Sequence, residues 1–246
     1  MWILFFLDYL EYTLMGIILI PGLIFAMVAS ARVKTTFNKY DQVLSSKGLT
    51  GAQVVQKILD AEGIFDIQVQ KGNTSELVDN FNPKTKVITL SNKVYEGTSI
   101  SAIGVAAHET GHAVQLAKGY KPMKIRTALA YTSNFLSMFV WPLIIIGIVL
   151  DFAYVGGVVG KTFLWVGVAF FGVSTLFSLI TLPVEFNASN RALKLLVSTG
   201  CVDEMEVKGC KKVLSSAAMT YVAALVVSIL ELLRFVLFFL VRSRDN

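Results

Sequence analysis

Apolar residues in this chain are gathered into long runs. Four of them, Tyr12–Ser30, Thr127–Leu150, Thr162–Leu182 and Ala218–Leu240, approach or exceed the roughly 20 residues a helix needs to cross a bilayer. Pro21-Gly22 predicts a kink in the first, and the last carries Glu231 and Arg234 at i and i+3. Only residues 31–98 have the mixed pattern of a water-exposed fold. There Thr50-Gly51-Ala52-Gln53 reads as a capping box opening a helix that Gly63 closes. Phe65–Gln70, Glu76–Asn80 and Lys86–Ser91 alternate as strands do, and Asn82-Pro83-Lys84 marks a turn. The expected fold class is an α-helical multi-pass membrane protein with a small α+β cytoplasmic layer, a helix plus a three-strand meander. The expected organisation is an N-terminal membrane anchor at 1–30, a cytoplasmic α+β region at 31–126, two transmembrane helices at 127–182, a cytoplasmic helical region at 183–217, and a C-terminal hydrophobic helix with a short tail at 218–246.

Composition agrees with a membrane protein. The chain is 54% apolar and 16% charged, against about 45–50% and about 25% in soluble domains. Its net charge of +5 comes from basic residues beside the apolar runs. No basic–aromatic stripe of the kind that grips nucleic acid is present, so the bilayer is the expected partner of these charges. Asp8 and Glu11 precede the first run while Arg32 and Lys34 follow it. A cleaved signal peptide would need a basic start, so Ala29-Ser30-Ala31 is read as part of a retained anchor with its N-terminus outside. Residues 31–126 hold 13 Lys and Arg, which places them on the cytoplasmic side, and 183–217 follow by the same rule. A complete fourth crossing would put Arg242 and Arg244 outside, which leaves a re-entrant or tilted last segment open. Cys201 and Cys210 fit neither a metal knuckle nor a disulfide framework and are read as reduced thiols.

The stretch that carries chemistry is Ala106-Ala107-His108-Glu109-Thr110-Gly111-His112-Ala113. Ser99 can cap a helix through it, and Gly119 lies beyond its end. Histidines at i and i+4 share one helix face, so both imidazoles can reach one zinc ion. Glu109 projects to the edge of that face. It is placed to take a proton from the attacking water, whose pKa zinc lowers toward ~7, and to return it to the leaving amine. These are the only two histidines, so a third protein ligand must be a carboxylate or thiolate on the same side. Glu185 stands out, just after Pro183 where the third run ends. Ala188, one turn along, lets that segment press against Gly111. The rival cluster Asp203, Glu204 and Glu206 reads better as a solvated surface.

The chain resembles the YugP-type neutral zinc metallopeptidases, membrane proteins of bacteria. The resemblance covers nearly the whole chain. It rests on Asn82–Ser91, on the helix just described, on Pro183-Val184-Glu185-Phe186-Asn187-Ala188-Ser189-Asn190-Arg191-Ala192 and on Thr220–Ala224. More distantly, the third block is similar to the Glu-x-x-Ala-Asp segment of HtpX and the CAAX prenyl-proteases. That likeness implies gluzincin-like active-site helices with Glu185 as third zinc ligand. This sequence has Ser189 where those enzymes have the Asp that partners a zinc-binding imidazole.

These readings together predict a zinc-dependent metalloendopeptidase of the cell membrane, with zinc on His108, His112 and Glu185 and with Glu109 as base. Its substrates would be peptides or proteins, including membrane proteins, cut at the cytoplasmic face. Tyr221 and Arg191 are both candidates for stabilising the oxyanion. The strand Lys86–Ser91 is a candidate rail for extended substrate. Two alternatives stay open: a site-2-type intramembrane protease, for which Asp151 lacks the expected Gly neighbour, and a non-enzymatic membrane scaffold with structural histidines.

Overall fold

The computed structural model describes residues 15–72, 79–152 and 157–244. Asp8, Glu11, the start of the expected anchor and residues 76–78 of the second expected strand lie outside the described residues. After a short 3-10 turn, Gly16–Leu19, the elements are α1 (Ile20–Asp41), α2 (Gly51–Ala61), β1 (Gln68–Lys71), β2 (Asn80–Asn82), β3 (Val87–Leu90), α3 (Asn92–Tyr95), α4 (Ile100–Ala117), α5 (Lys121–Phe152), α6 (Gly157–Ser198) and α7 (Glu204–Arg244). Four helices are long and apolar enough to cross a membrane: Gly16–Asp41, Lys121–Leu150, Val158–Ser198 and Glu204–Leu240. Each overruns the apolar run that marks it in the sequence, because no helix stop stands at the polar end of the run. Pro183 lies inside α6; it costs the helix one backbone bond, a loss that apolar helices tolerate when neighbouring groups compensate. Helix α7 is continuous, so the last segment contains no re-entrant turn.

The chain divides into two compact units. One gathers, of the described residues, 15–27, those within 128–180, and 222–244. Its core is Val140, Ile144, Leu164, Val168, Phe235, Phe238 and Phe239. A Cβ on Gly147 would meet Leu164 at 2.6 Å, and one on Gly167 would meet Ile144 at 2.9 Å. Glycine lets α5 and α6 approach in this way where no hydrophobic effect drives apolar helices together. Phe135, Met138, Trp141, Ile145 and Val149 form an exposed stripe on α5, the face a lipid-contacting helix presents. Glu231 and Arg234 pair at 2.5 Å.

The other unit comprises residues 28–127 and 181–221. Its axis is α4, nearly all of whose residues are buried. Ala106, Ala113 and Val114 pack with Val55, Leu59, Ile88 and Leu90. Ile100, Ile103 and Ala107 pack with Ala192, Leu196, Cys210 and Leu214. A helix covered on two sides has room for small side chains only, which explains its alanines and glycines. Ser99 caps it by accepting from the Ala102 N–H at 3.2 Å, and Gly119 follows it at φ +67°. Both bonds of the Thr50–Gln53 capping box form on α2, and Gly63 follows at φ +67°. Both cysteines are free and buried.

The sheet is not the expected meander. Its order is β1-β3-β2, with β1 parallel and β2 antiparallel to β3. The centre goes to the strand with most to bury: β3 inserts Ile88 and Leu90, both fully covered, whereas β2 buries only Phe81. A strand paired on both sides offers no free edge, so β3 is not a substrate rail. Among the described residues the edge strands are β1 and β2.

Candidate metal centre

His108 and His112 sit one turn apart on α4, with ring centroids 4.8 Å apart. Glu185 comes from α6 and is 1% exposed. Its Oε2 lies 3.2 Å from His108 Nε2 and 3.5 Å from His112 Nε2. One ligand atom from each residue falls within 4.8 Å of the other two. Two imidazole nitrogens and one carboxylate oxygen are a donor set that suits a catalytic zinc, with a position left for reactants. The helices can come this close because Gly111 has no side chain. A Cβ there would stand 2.6 Å from the Ala188 carbonyl oxygen, one turn beyond Glu185. The close approach expected between Gly111 and Ala188 is therefore present.

The rings are held from behind. His112 Nδ1 lies 3.0 Å from Gln115 Oε1. The amide nitrogen of Gln115 donates to the Val184 carbonyl at 2.8 Å and to Asn187 Oδ1 at 3.0 Å. Those two acceptors fix which end of the Gln115 amide faces the histidine. Its oxygen can only accept, so His112 Nδ1 carries the proton and Nε2 keeps its lone pair for a metal. Ser189 Oγ is 3.1 Å from His108 Nδ1, so a hydroxyl stands behind the first histidine as the Gln115 amide stands behind the second. Arg126 Nη2 lies 3.2 Å from Glu185 Oε1. That oxygen has no aligned hydrogen bond, so the contact is one of charge.

Glu109 is 9% exposed. Burial pushes its carboxyl up to about 7; the nearby charges of Glu185 and Asp79 add to the rise, while His108 and the Phe81 N–H oppose it. A carboxyl in that range can both take and give a proton near neutrality. A cleft of about 190 Å³ is lined by Asp79, His108, Glu109, Glu185, Ser189 and Tyr221, among others. Of the two oxyanion candidates, Tyr221 therefore faces the cleft. Arg191 is absent from its lining: it donates to Asn187 Oδ1 at 2.8 Å and lies 6.0 Å from the Tyr120 ring centroid.

Two of the three rival carboxylates are occupied elsewhere. Glu206 accepts from the Asp203 N–H at 3.0 Å and from the Ser46 N–H at 2.6 Å, and Asp203 pairs with Lys47 at 3.0 Å. They close the start of α7 and tie down residues 45–47. Sequence reasoning missed Gln115, Arg126 and Asp79. Gln115 was within reach, lying three residues after His112 on the same helix face. Arg126 and Asp79 stand beyond the ends of the motif helix and carry no local signal.

A model of the family described as "Putative neutral zinc metallopeptidase" matches residues 15–240. The chain is 43% identical over 219 residues to "Putative membrane protease YugP" of Bacillus subtilis (strain 168), a match covering 89% of this chain and 92% of that protein. No solved structure matches.

Proposed function

This chain belongs to the "Putative neutral zinc metallopeptidase" family, and from that premise we propose that it is a membrane-bound, zinc-dependent endopeptidase. In this reading His108, His112 and Glu185 are the metal ligands and Glu109 is the general base. The observation that carries it is the convergence of the three ligand atoms within 4.8 Å of one another, beside a buried Glu109 from the same helix. Two histidines from one helix and a glutamate from a second are the gluzincin arrangement. Zinc, when bound, lowers the pKa of water toward ~7 and polarises a carbonyl.

The chain's own residues do the rest. Gln115 and Ser189 keep the two imidazoles turned so that Nε2 faces the centre. Glu109 accepts the proton of the attacking water and delivers it to the leaving amine. The Tyr221 hydroxyl, in the same cleft, donates to the oxyanion as it develops. An extended peptide would pair with β2, an edge strand of the sheet that comes close to Glu109. The 13 basic residues of 31–126 support a cytoplasmic active site, and with it peptide or membrane-protein substrates reached from that side.

The test is Glu109→Gln. The variant should keep about one zinc per chain by elemental analysis and lose casein or peptide cleavage, because only the proton acceptor has gone. Cleavage at near wild-type rate would remove Glu109 from the mechanism. A metal-free wild type would favour the scaffold reading.

A further inference from the structure

We propose that the groove between the polar ends of α1 and α7 is a binding site for the phosphate of an anionic phospholipid headgroup. Arg32, Thr36 and Lys39 recur along one face of α1, and Lys208, Lys211, Lys212 and Ser215 along one face of α7. Together they line a cavity of about 740 Å³. Five of the residues lining it are cations and none is a carboxylate. Of the acids nearby in sequence, Asp41 pairs with Lys93 at 2.8 Å, Asp203 with Lys47 at 3.0 Å, and Glu206 accepts from the Ser46 N–H, while the exposed Glu204 lies outside the lining of the groove. Among the described residues, none of the five cations forms an ion pair with a carboxylate. Like charges facing one another across a groove repel unless an anion sits between them. Thr36, Tyr40 and Ser215 add hydroxyls that can donate to phosphate oxygens.

The position along each helix selects a lipid over a free anion. Arg32 follows directly on the outward-facing Leu23, Ile24, Met27 and Val28 of α1. On α7 the lysines end at Lys212, and the apolar stretch begins within two turns. The groove thus opens where both helices leave their apolar stretches, which is headgroup depth in a bilayer, where basic pockets between helices take anionic lipids. Acyl chains would continue along the apolar face of α1. The cavity has room for a whole headgroup.

The test is lipid retention by the purified full-length protein in detergent, read by native mass spectrometry. Phosphatidylglycerol, phosphatidylcholine and inorganic phosphate are offered to wild type, to Lys208→Gln/Lys211→Gln/Lys212→Gln, to the corresponding triple arginine variant, and to Lys57→Gln/Lys118→Gln/Lys194→Gln. Wild type should retain phosphatidylglycerol in preference to phosphatidylcholine. The groove glutamine variant should lose that affinity by about tenfold or more, because three cations that would face the bound phosphate are gone. The arginine variant and the charge-matched control should keep it. Equal losses in the two glutamine triples would reduce the effect to net charge and overturn the site. Equal retention of the two lipids would overturn the headgroup assignment. Displacement of the lipid by millimolar inorganic phosphate would make the groove a free-anion site instead. If the groove triple unfolds early, Arg32→Gln is read in its place, and unchanged retention there overturns the proposal.

Discussion

Gly111→Ala is the substitution that separates packing from chemistry at the metal centre. The new Cβ would stand 2.6 Å from the Ala188 carbonyl oxygen, 3.2 Å from its carbonyl carbon and 3.3 Å from its Cα. All three are backbone atoms and cannot rotate aside. Close carbon–oxygen contacts settle near ~3.3 Å, so α4 and α6 must part by roughly 0.7 Å. Alanine favours the helix by about 1 kcal/mol over glycine, while overpacking costs about 1–3 kcal/mol. The two nearly offset, and the fold should lose only about 0–2 kcal/mol. The metal centre has less tolerance: His108 and His112 lie on either side of Gly111, and Glu185 lies one turn from Ala188, so the same displacement widens the donor triangle itself. Sites of this kind tolerate about 0.5 Å. We expect zinc affinity to fall tenfold or more while the metal-free protein unfolds within a few degrees of wild type. Chelator-competition titration and thermal unfolding measure the two effects. Gly104→Ala on the same helix is the control, since its Cβ would meet nothing closer than Cys210 at 3.7 Å. If Gly111→Ala holds zinc like wild type, or Gly104→Ala loses it equally, the helix contact does not set the site.

Glu185→Ala should abolish tight zinc binding in the same titration, whereas Glu206→Ala should retain it; the reverse result would move the third ligand to the 203–206 segment. Gln115→Leu removes the acceptor behind His112 and should weaken zinc about 10–100-fold, the usual cost of losing an outer-shell partner, with Ala113→Ser as a neighbour expected to leave the affinity unchanged.

Local features were the legible ones. The Ser99 and Gly119 boundaries of α4, the Thr50–Gln53 box and the approximate spans all follow from neighbours in sequence, and all are present in the structure. The sheet order was not legible, because strand pairing is decided by competition for burial among distant segments, and Ile88 and Leu90 win the centre only once α2 and α4 cover them. Helix lengths were underestimated for a related reason. An apolar run marks where lipid would lie, while a helix ends only where a stop signal or a loss of hydrogen bonds ends it, and Pro183 alone was too weak a stop within α6.

The candidate site lies between these cases. His108, Glu109 and His112 form one helical turn and could be read directly. Glu185 is 77 residues further on, and no periodicity links it to them. Its placement could still be inferred because close packing constrains both sides of a contact: a glycine costs a buried helix stability, and Gly111 is offset only if another backbone occupies the space it leaves. Ala188, one turn from the carboxylate that follows the third apolar run, fits that space. Arg126 and Asp79 impose no such demand on their neighbours. The long side chain of Arg126 can reach the centre from many backbone positions, and Asp79 arrives on a loop before β2, so neither leaves a compensating small residue in the sequence. The residues that shape the gap between the helices were therefore readable, whereas the charges that fill its rim were not.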